Sequence, residues 1–264
     1  MEGVQAAAFF RLPGLREFKA YGMDASGLTL DEADPSGSVT ALQPPADQLF
    51  PNGTSPIEEL HLYQACISEN GVRVLTRACR RLRVLILEWR SYLITSVDFD
   101  FSGNAVADAI KLHSASLEEI SIDSDEITAD LWKDFTCDVD PGILGDCLLR
   151  CDKLKRLTID LEVLYGGPDV FQEHSFNYPL SEVLPQGLTS LGLNFVQVEV
   201  EAHATKDNVL GLLRQCGPNG RFARLKKLQL TDYITDFDEE HDMAFMARNA
   251  GVELVLRTRT DYDW

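Results

Sequence analysis

Three sets of side chains in this sequence have types and spacings that can do chemistry. Glu59, His61 and Tyr63 alternate along one short stretch, and an extended chain would turn all three to the same side. They are the first place to look for acid–base chemistry. Cys147 and Cys151 lie four apart, on one face of a helix, as two ligands of a metal ion would. Arg77, Arg80, Arg81 and Arg83 form a basic run of the kind that contacts phosphate.

None of these sets extends to a motif. No second cysteine pair or histidine stands at zinc spacing from Cys147 and Cys151. None of the five histidines adjoins a serine or cysteine in a nucleophile motif, and no glycine-rich phosphate loop is present. The chain is therefore read as a non-enzyme without metal or cofactor. An enzyme with a concave site covered by a loop stays open as a remote alternative. The four arginines span a helix end and a strand entry, so they point in different directions. Compensation of a helix C-terminus and a solvated rim account for them.

Charge and composition narrow the partners. The formal net charge of −18, from 42 acidic against 24 basic residues, disfavours attraction to nucleic acid or an anionic membrane and favours a partner with a basic segment. No apolar run approaches the roughly 18 residues that span a bilayer, and residues 1–11 lack the pattern of a signal peptide. Six cysteines at irregular spacing do not form a small secreted disulfide framework, so reduced thiols in the cytoplasm or nucleus are expected.

The elements that must position these residues repeat. Leu82-x-x-Leu85-x-Leu87 returns as Ile57/Leu60/Leu62, Leu117/Ile120/Ile122, Leu154/Leu157/Ile159, Leu188/Leu191/Leu193 and Leu225/Leu228/Leu230. Looser copies stand at Leu15/Phe18/Ala20 and Leu254/Leu256, giving about eight units of irregular length. The alternating aliphatics have the period of a strand with one buried face. Upstream of most lies a helical stripe, such as Val72, Leu75, Ala78 and Cys79. One helix and one strand per unit, connected in the same sense, bury their apolar faces only by stacking on neighbours, so the expected fold is an α/β solenoid.

The segment ACISENGVRVLTRACRRLRVLIL, residues 65–87, follows the pattern C-x-I-x-x-x-G-L-x-x-L-x-x-x-C-x-x-L-x-x-L-x-L closely. On these residues the chain resembles the cysteine-containing leucine-rich-repeat proteins of the F-box type. RLPGLREFKAYGM, IKLHSASLEEISID and NAGVELVL are similar to segments of its fungal members. The resemblance implies a curved horseshoe with a parallel sheet on the concave face, helices on the convex face, and Cys79, Cys151 and Cys216 packing at helix ends. It also implies protein binding that presents substrates to a cullin-type ubiquitin ligase. No F-box is legible ahead of the first repeat, so Met1 is read as opening a fragment or a shortened product. An F-box-independent scaffold or regulator is the alternative.

The residues between and just after the leucines are expected to line the concave face. The partner-binding set is Tyr21, His61, Tyr63, Val84, Ile86, Glu88, Trp89, Asp123, Arg156, Asp160 and Asn194. Strands about 4.8 Å apart would crowd the carboxylates of Glu88, Asp123 and Asp160 at about 3 kcal/mol per neighbouring pair for an effective dielectric near 20, so this row calls for a cation. Arg156, a partner's Lys or Arg, or a calcium ion would meet it, and splaying into water is the bland alternative. Val84, Ile86 and Trp89 beside it form an apolar anchor. One domain over 1–264 is expected, with a flexible proline-rich loop at 31–56 and further insertions at 91–103, 124–141, 162–179 and 195–207, all in the same part of the unit.

Overall fold

Each copy of the aliphatic pattern becomes one strand. The computed structural model describes residues 2–25, 28, 46–89, 103–124, 143–165, 179–195, 202–232 and 237–258. Its strands are β1 Glu17–Tyr21, β2 Glu59–Ala65, β3 Val84–Trp89, β4 Glu119–Asp123, β5 Arg156–Asp160, β6 Ser190–Asn194, β7 Lys227–Thr231 and β8 Glu253–Arg257. They form one parallel sheet in sequence order. Phe18, Leu60, Leu85, Ile120, Leu157, Leu191, Leu228 and Leu254 stand in a single register row across it.

Helices alternate with these strands. In chain order they are α1 Gly3–Phe10, α2 Ala46–Leu49, α3 Glu69–Ala78, α4 Gly103–His113, α5 Ile143–Leu149, α6 Leu161–Tyr165, α7 Leu180–Val183, α8 Ala202–Arg214 and α9 Phe237–Ala250. From α3 onward they pack as a row, α3 on α4, α4 on α5, α5 on α7, α7 on α8 and α8 on α9. One apolar cluster joins this row to the strand leucines. Leu60, Leu85, Leu191 and Leu228 are fully buried there, each contributing about 1.5–3 kcal/mol of transfer free energy.

Local sequence sets the details of α3. Ser68 caps it by accepting from the Gly71 N–H at 3.1 Å, Glu69 stands in its first turn and Arg77 in its last, both favourable to the helix dipole. A Cβ on Gly71 would lie 2.7 Å from the Ala25 carbonyl oxygen, so the close approach of chain and helix requires glycine. The helix-end thiols repeat one contact. Cys79, Cys151 and Cys216 each donate to the carbonyl four residues back, at 3.3, 3.4 and 3.4 Å. Burial pushes Cys79 and Cys151 up to about 12 and Cys216 to about 11.

The strand entrances are tied in the same way. The carbonyl preceding each of β1 to β6 accepts two successive N–H groups at the entrance of the next strand, as Arg83 O does from Glu118 and Glu119 at 2.8 and 3.1 Å. From β1 to β5 the side chains at these stations alternate in charge. Arg16 meets Glu58 at 3.4 Å, Arg83 meets Glu58 at 3.7 Å and Glu118 at 3.0 Å, and Lys155 meets Glu118 at 3.2 Å. Arg83 therefore leaves the basic run for this ladder, while Arg80 donates to the Gly53 carbonyl at 3.4 Å.

The loop expected at 31–56 needs dividing. Residues 31–45 lie outside the described residues, but 46–56 hold α2 and a fixed turn. Phe50 is buried edge-on against Phe10, with ring centroids 5.2 Å apart, and Gly53 and Ser55 donate to the carbonyls of Arg77 and Ala78. An aromatic inserted into the core holds this end despite its prolines. Most of the other insertions fall outside the described residues. Exceptions include the last four residues of α6 within 162–179 and the first residues of α8 within 195–207. Among the described residues, no helix is long and apolar enough to cross a membrane.

Candidate functional site

Alternation along the strands sends the leucines to the core and the residues between them to the second face of the sheet. The parallel register arranges that face in rows. One row begins Glu17, Glu59, Val84, Glu119, Arg156; the next begins Lys19, His61, Ile86, Ser121, Thr158.

On β1 and β2 this register draws six functional side chains together, because Glu17 pairs with Glu59, Lys19 with His61 and Tyr21 with Tyr63. The tyrosine rings stack with centroids 4.7 Å apart and planes 18° apart. Tyr21 is 71% exposed, more than any other large hydrophobic side chain among the described residues. Beside the pair, His61 Nδ1 lies 3.2 Å from the Tyr63 hydroxyl. Its Nε2 lies 3.7 Å from Glu59 Oε2 and 3.8 Å from Glu17 Oε1. Lys19 Nζ reaches Glu17 Oε1 at 2.5 Å.

The electrostatics follow from these contacts. The hydrogen bond from Lys19 holds the Glu17 carboxyl below its usual range and in turn raises Lys19. Burial is the main force lowering His61, helped by Lys19 and opposed by Glu17 and Glu59. The Tyr63 hydroxyl is pushed up by burial. His61 Nε2 is buried and has no hydrogen-bond partner among the described residues. Glu17, Glu59 and His61 are also the only group of three or more potential metal ligands among the described residues.

The expected binding residues divide. Tyr21, Tyr63, Ile86, Glu88, Asp123 and Arg156 keep part or most of their surface. Arg156 contacts Glu119 across the β4–β5 pair, so its charge is engaged within the sheet. His61 and Val84 stand on the second face but are each 7% exposed, because long side chains cover them, Val84 lying in register between Glu59 and Glu119.

Three placements are corrected. Trp89 follows Leu85 and Leu87 in the period of two and so faces the core, buried, donating its indole N–H to the Ile67 carbonyl at 3.2 Å. Asp160 is fully buried. Its Oδ2 accepts from the Ser124 N–H and hydroxyl, both at 2.5 Å, and its Oδ1 accepts from Asn194 Nδ2 at 2.9 Å. Asn194 is buried with it. The expected acidic row thus ends at Glu88 and Asp123, which pair in register, and Asp160 is an internal hydrogen-bond hub. The chain leaving β4 folds Ser124 over it, which strand alternation alone does not foresee.

Glu17 is the residue that sequence reasoning missed. It precedes Phe18 as Glu59 precedes Leu60, so the repeat register carried the signal, but the first copy of the pattern is loose there. A separate cleft of about 370 Å³ between α3 and α4 is lined by Arg73, Arg77, Asp108 and Lys111. Arg73 in it is engaged by Glu69 at 2.7 Å and Asp108 at 3.2 Å. Comparison of the chain with protein-family models, curated proteins and solved structures finds no match.

Proposed function

We propose that the chain is a leucine-rich-repeat solenoid that binds a protein partner on the open face of its sheet. The repeat type is supported by the common inner spacing of six strand segments, with two looser copies in the same register row, and by the thiol-to-carbonyl contact at three helix ends. A stack of such units leaves one continuous sheet face available for contact.

The observation that carries the binding role is the stacked pair Tyr21 and Tyr63. A rigid aromatic anchor with one strongly exposed ring is the kind of group on which interface energy concentrates. Glu88 and Asp123, paired in register near it, together with the net charge of −18, favour a basic segment in the partner. In the F-box branch of the resembling family such a face presents substrates to a cullin-type ligase. A scaffold acting without the ligase adaptor shares the same face, and pull-down with that adaptor separates the two.

Selection of a random peptide library on the immobilised chain, followed by anisotropy measurements on the enriched peptides, tests the reading. Peptides rich in Lys or Arg should emerge and should lose about tenfold or more in affinity on Tyr21→Ala or on the double reversal Glu88→Lys with Asp123→Lys. Equal binding to all three proteins would remove the open face from the proposal.

A further inference from the structure

We propose that Glu17, Glu59 and His61 form a binding site for a divalent transition-metal ion of the zinc class. The first argument is geometric. The three side chains offer two carboxylate oxygens and one imidazole nitrogen, all within 4.8 Å of one another. Tetrahedral ligands about 2.0–2.2 Å from zinc stand about 3.3–3.6 Å apart, so the 3.7 and 3.8 Å separations of Nε2 from the two carboxylates need close by only tenths of an ångström.

The second argument is the state of His61. Its side chain is 9% exposed, its Nε2 has no hydrogen-bond partner among the described residues, and that nitrogen faces the two carboxylates. If the Tyr63 hydroxyl donates to Nδ1, an N–H at Nε2 is held too far from either carboxylate for a proper hydrogen bond. If Nδ1 donates to Tyr63, the Nε2 lone pair faces two negative groups with nothing between them. A cation among the three satisfies every group at once. The imidazole then ligates through Nε2 while its other nitrogen donates to a fixed oxygen, the usual arrangement of a metal-bound histidine.

The third argument is access and charge. Glu17 and Glu59 have side chains 48% and 35% exposed, so an ion can enter from the solvent side while His61 forms the floor. The two carboxylates carry one more negative charge than the single Lys19 ammonium that reaches Glu17. An incoming divalent ion takes over from Lys19, whose flexible stem can swing into water. Three protein ligands of mixed N and O type suit zinc, manganese or iron better than calcium, which prefers six or more oxygens. Water fills the remaining coordination position.

Metal binding does not depend on the partner reading, since it is measured without a peptide. The intact chain, stripped with chelator, is titrated with Zn²⁺ by calorimetry, with Mg²⁺ and Ca²⁺ as comparisons and Co²⁺ as an optical probe. One Zn²⁺ should bind per chain and more tightly than Mg²⁺ or Ca²⁺. Glu59→Gln and His61→Gln should each weaken it at least about a hundredfold, and Tyr63→Phe about tenfold. Co²⁺ should show d–d bands without a thiolate charge-transfer band. Circular dichroism verifies that the variants are folded, and Glu59→Gln, at a half-exposed position, provides the test if His61→Gln unfolds. Absence of zinc binding at millimolar concentration, equal affinity in a folded variant, or a thiolate band would each overturn the site.

Discussion

Tyr21 lies in register with Tyr63 across the β1–β2 pair, their rings stacked 4.7 Å apart, one of them 71% exposed. Replacing Tyr21 with alanine removes the exposed ring while its backbone stays in the sheet. Thermal or denaturant unfolding should shift by no more than about 1 kcal/mol, whereas affinity for a selected basic peptide should fall about tenfold or more. A large stability loss without loss of binding would show that the pair is structural.

His113 is a satisfied core histidine. Its Nδ1 accepts from the Leu82 N–H at 3.3 Å and its Nε2 lies 3.0 Å from the Thr76 carbonyl, which assigns the neutral form with the proton on Nε2. Burial lowers its pKa in the folded protein. The native state then binds fewer protons than the unfolded chain, so this contribution to stability is complete above about pH 6.5 and is lost as the pH falls below it. Denaturant melts between pH 8 and pH 5 should show the decline, reduced in His113→Gln. His113→Ala should cost about 1–3 kcal/mol by taking the acceptor from the buried Leu82 N–H, while the Thr76 carbonyl keeps the Cys79 N–H at 3.1 Å.

Asp160 holds Ser124 and Asn194 inside the protein. Asp160→Ala strands a buried N–H, a hydroxyl and an amide, and should destabilise by about 2–4 kcal/mol. Asp160→Asn keeps an acceptor and should cost less. Urea midpoints read both effects; a neutral Asp160→Ala would mean that water replaces the carboxylate at little cost.

Glu118 sits between Arg83 and Lys155, whose hydrogen bonds hold its carboxyl down to about 2. A depressed carboxyl contributes stability above its unfolded pKa near 4.5 and loses it as the pH falls toward 2. Acid unfolding should therefore be shallower in Glu118→Gln below pH 4.5. Its side chain remains partly exposed, so the loss at neutral pH should be small and should shrink further at high salt.

Strand positions were legible because burial of one face imposes a period of two on the chain. The triplets around Leu60, Leu85, Ile120, Leu157, Leu191 and Leu228 could be read directly, and even the looser Phe18 and Leu254 fall in their row. The same rule should have sent Trp89 inward. The candidate site was partly legible, since Glu59, His61 and Tyr63 share one strand, but Glu17 belongs to another strand, Glu17–Tyr21, more than forty residues upstream.

What the sequence by itself determined is where the strands lie and the side of the sheet that their alternating residues take, because both follow from local periodicity. Only the tertiary structure decided what each polar group meets. The fate of Asp160 depends on Ser124 arriving from the preceding strand, and the environment of His61 depends on a carboxylate from β1. Such pairings form when neighbouring strands come to lie within hydrogen-bonding reach, and the spacing of residues along one strand does not encode them.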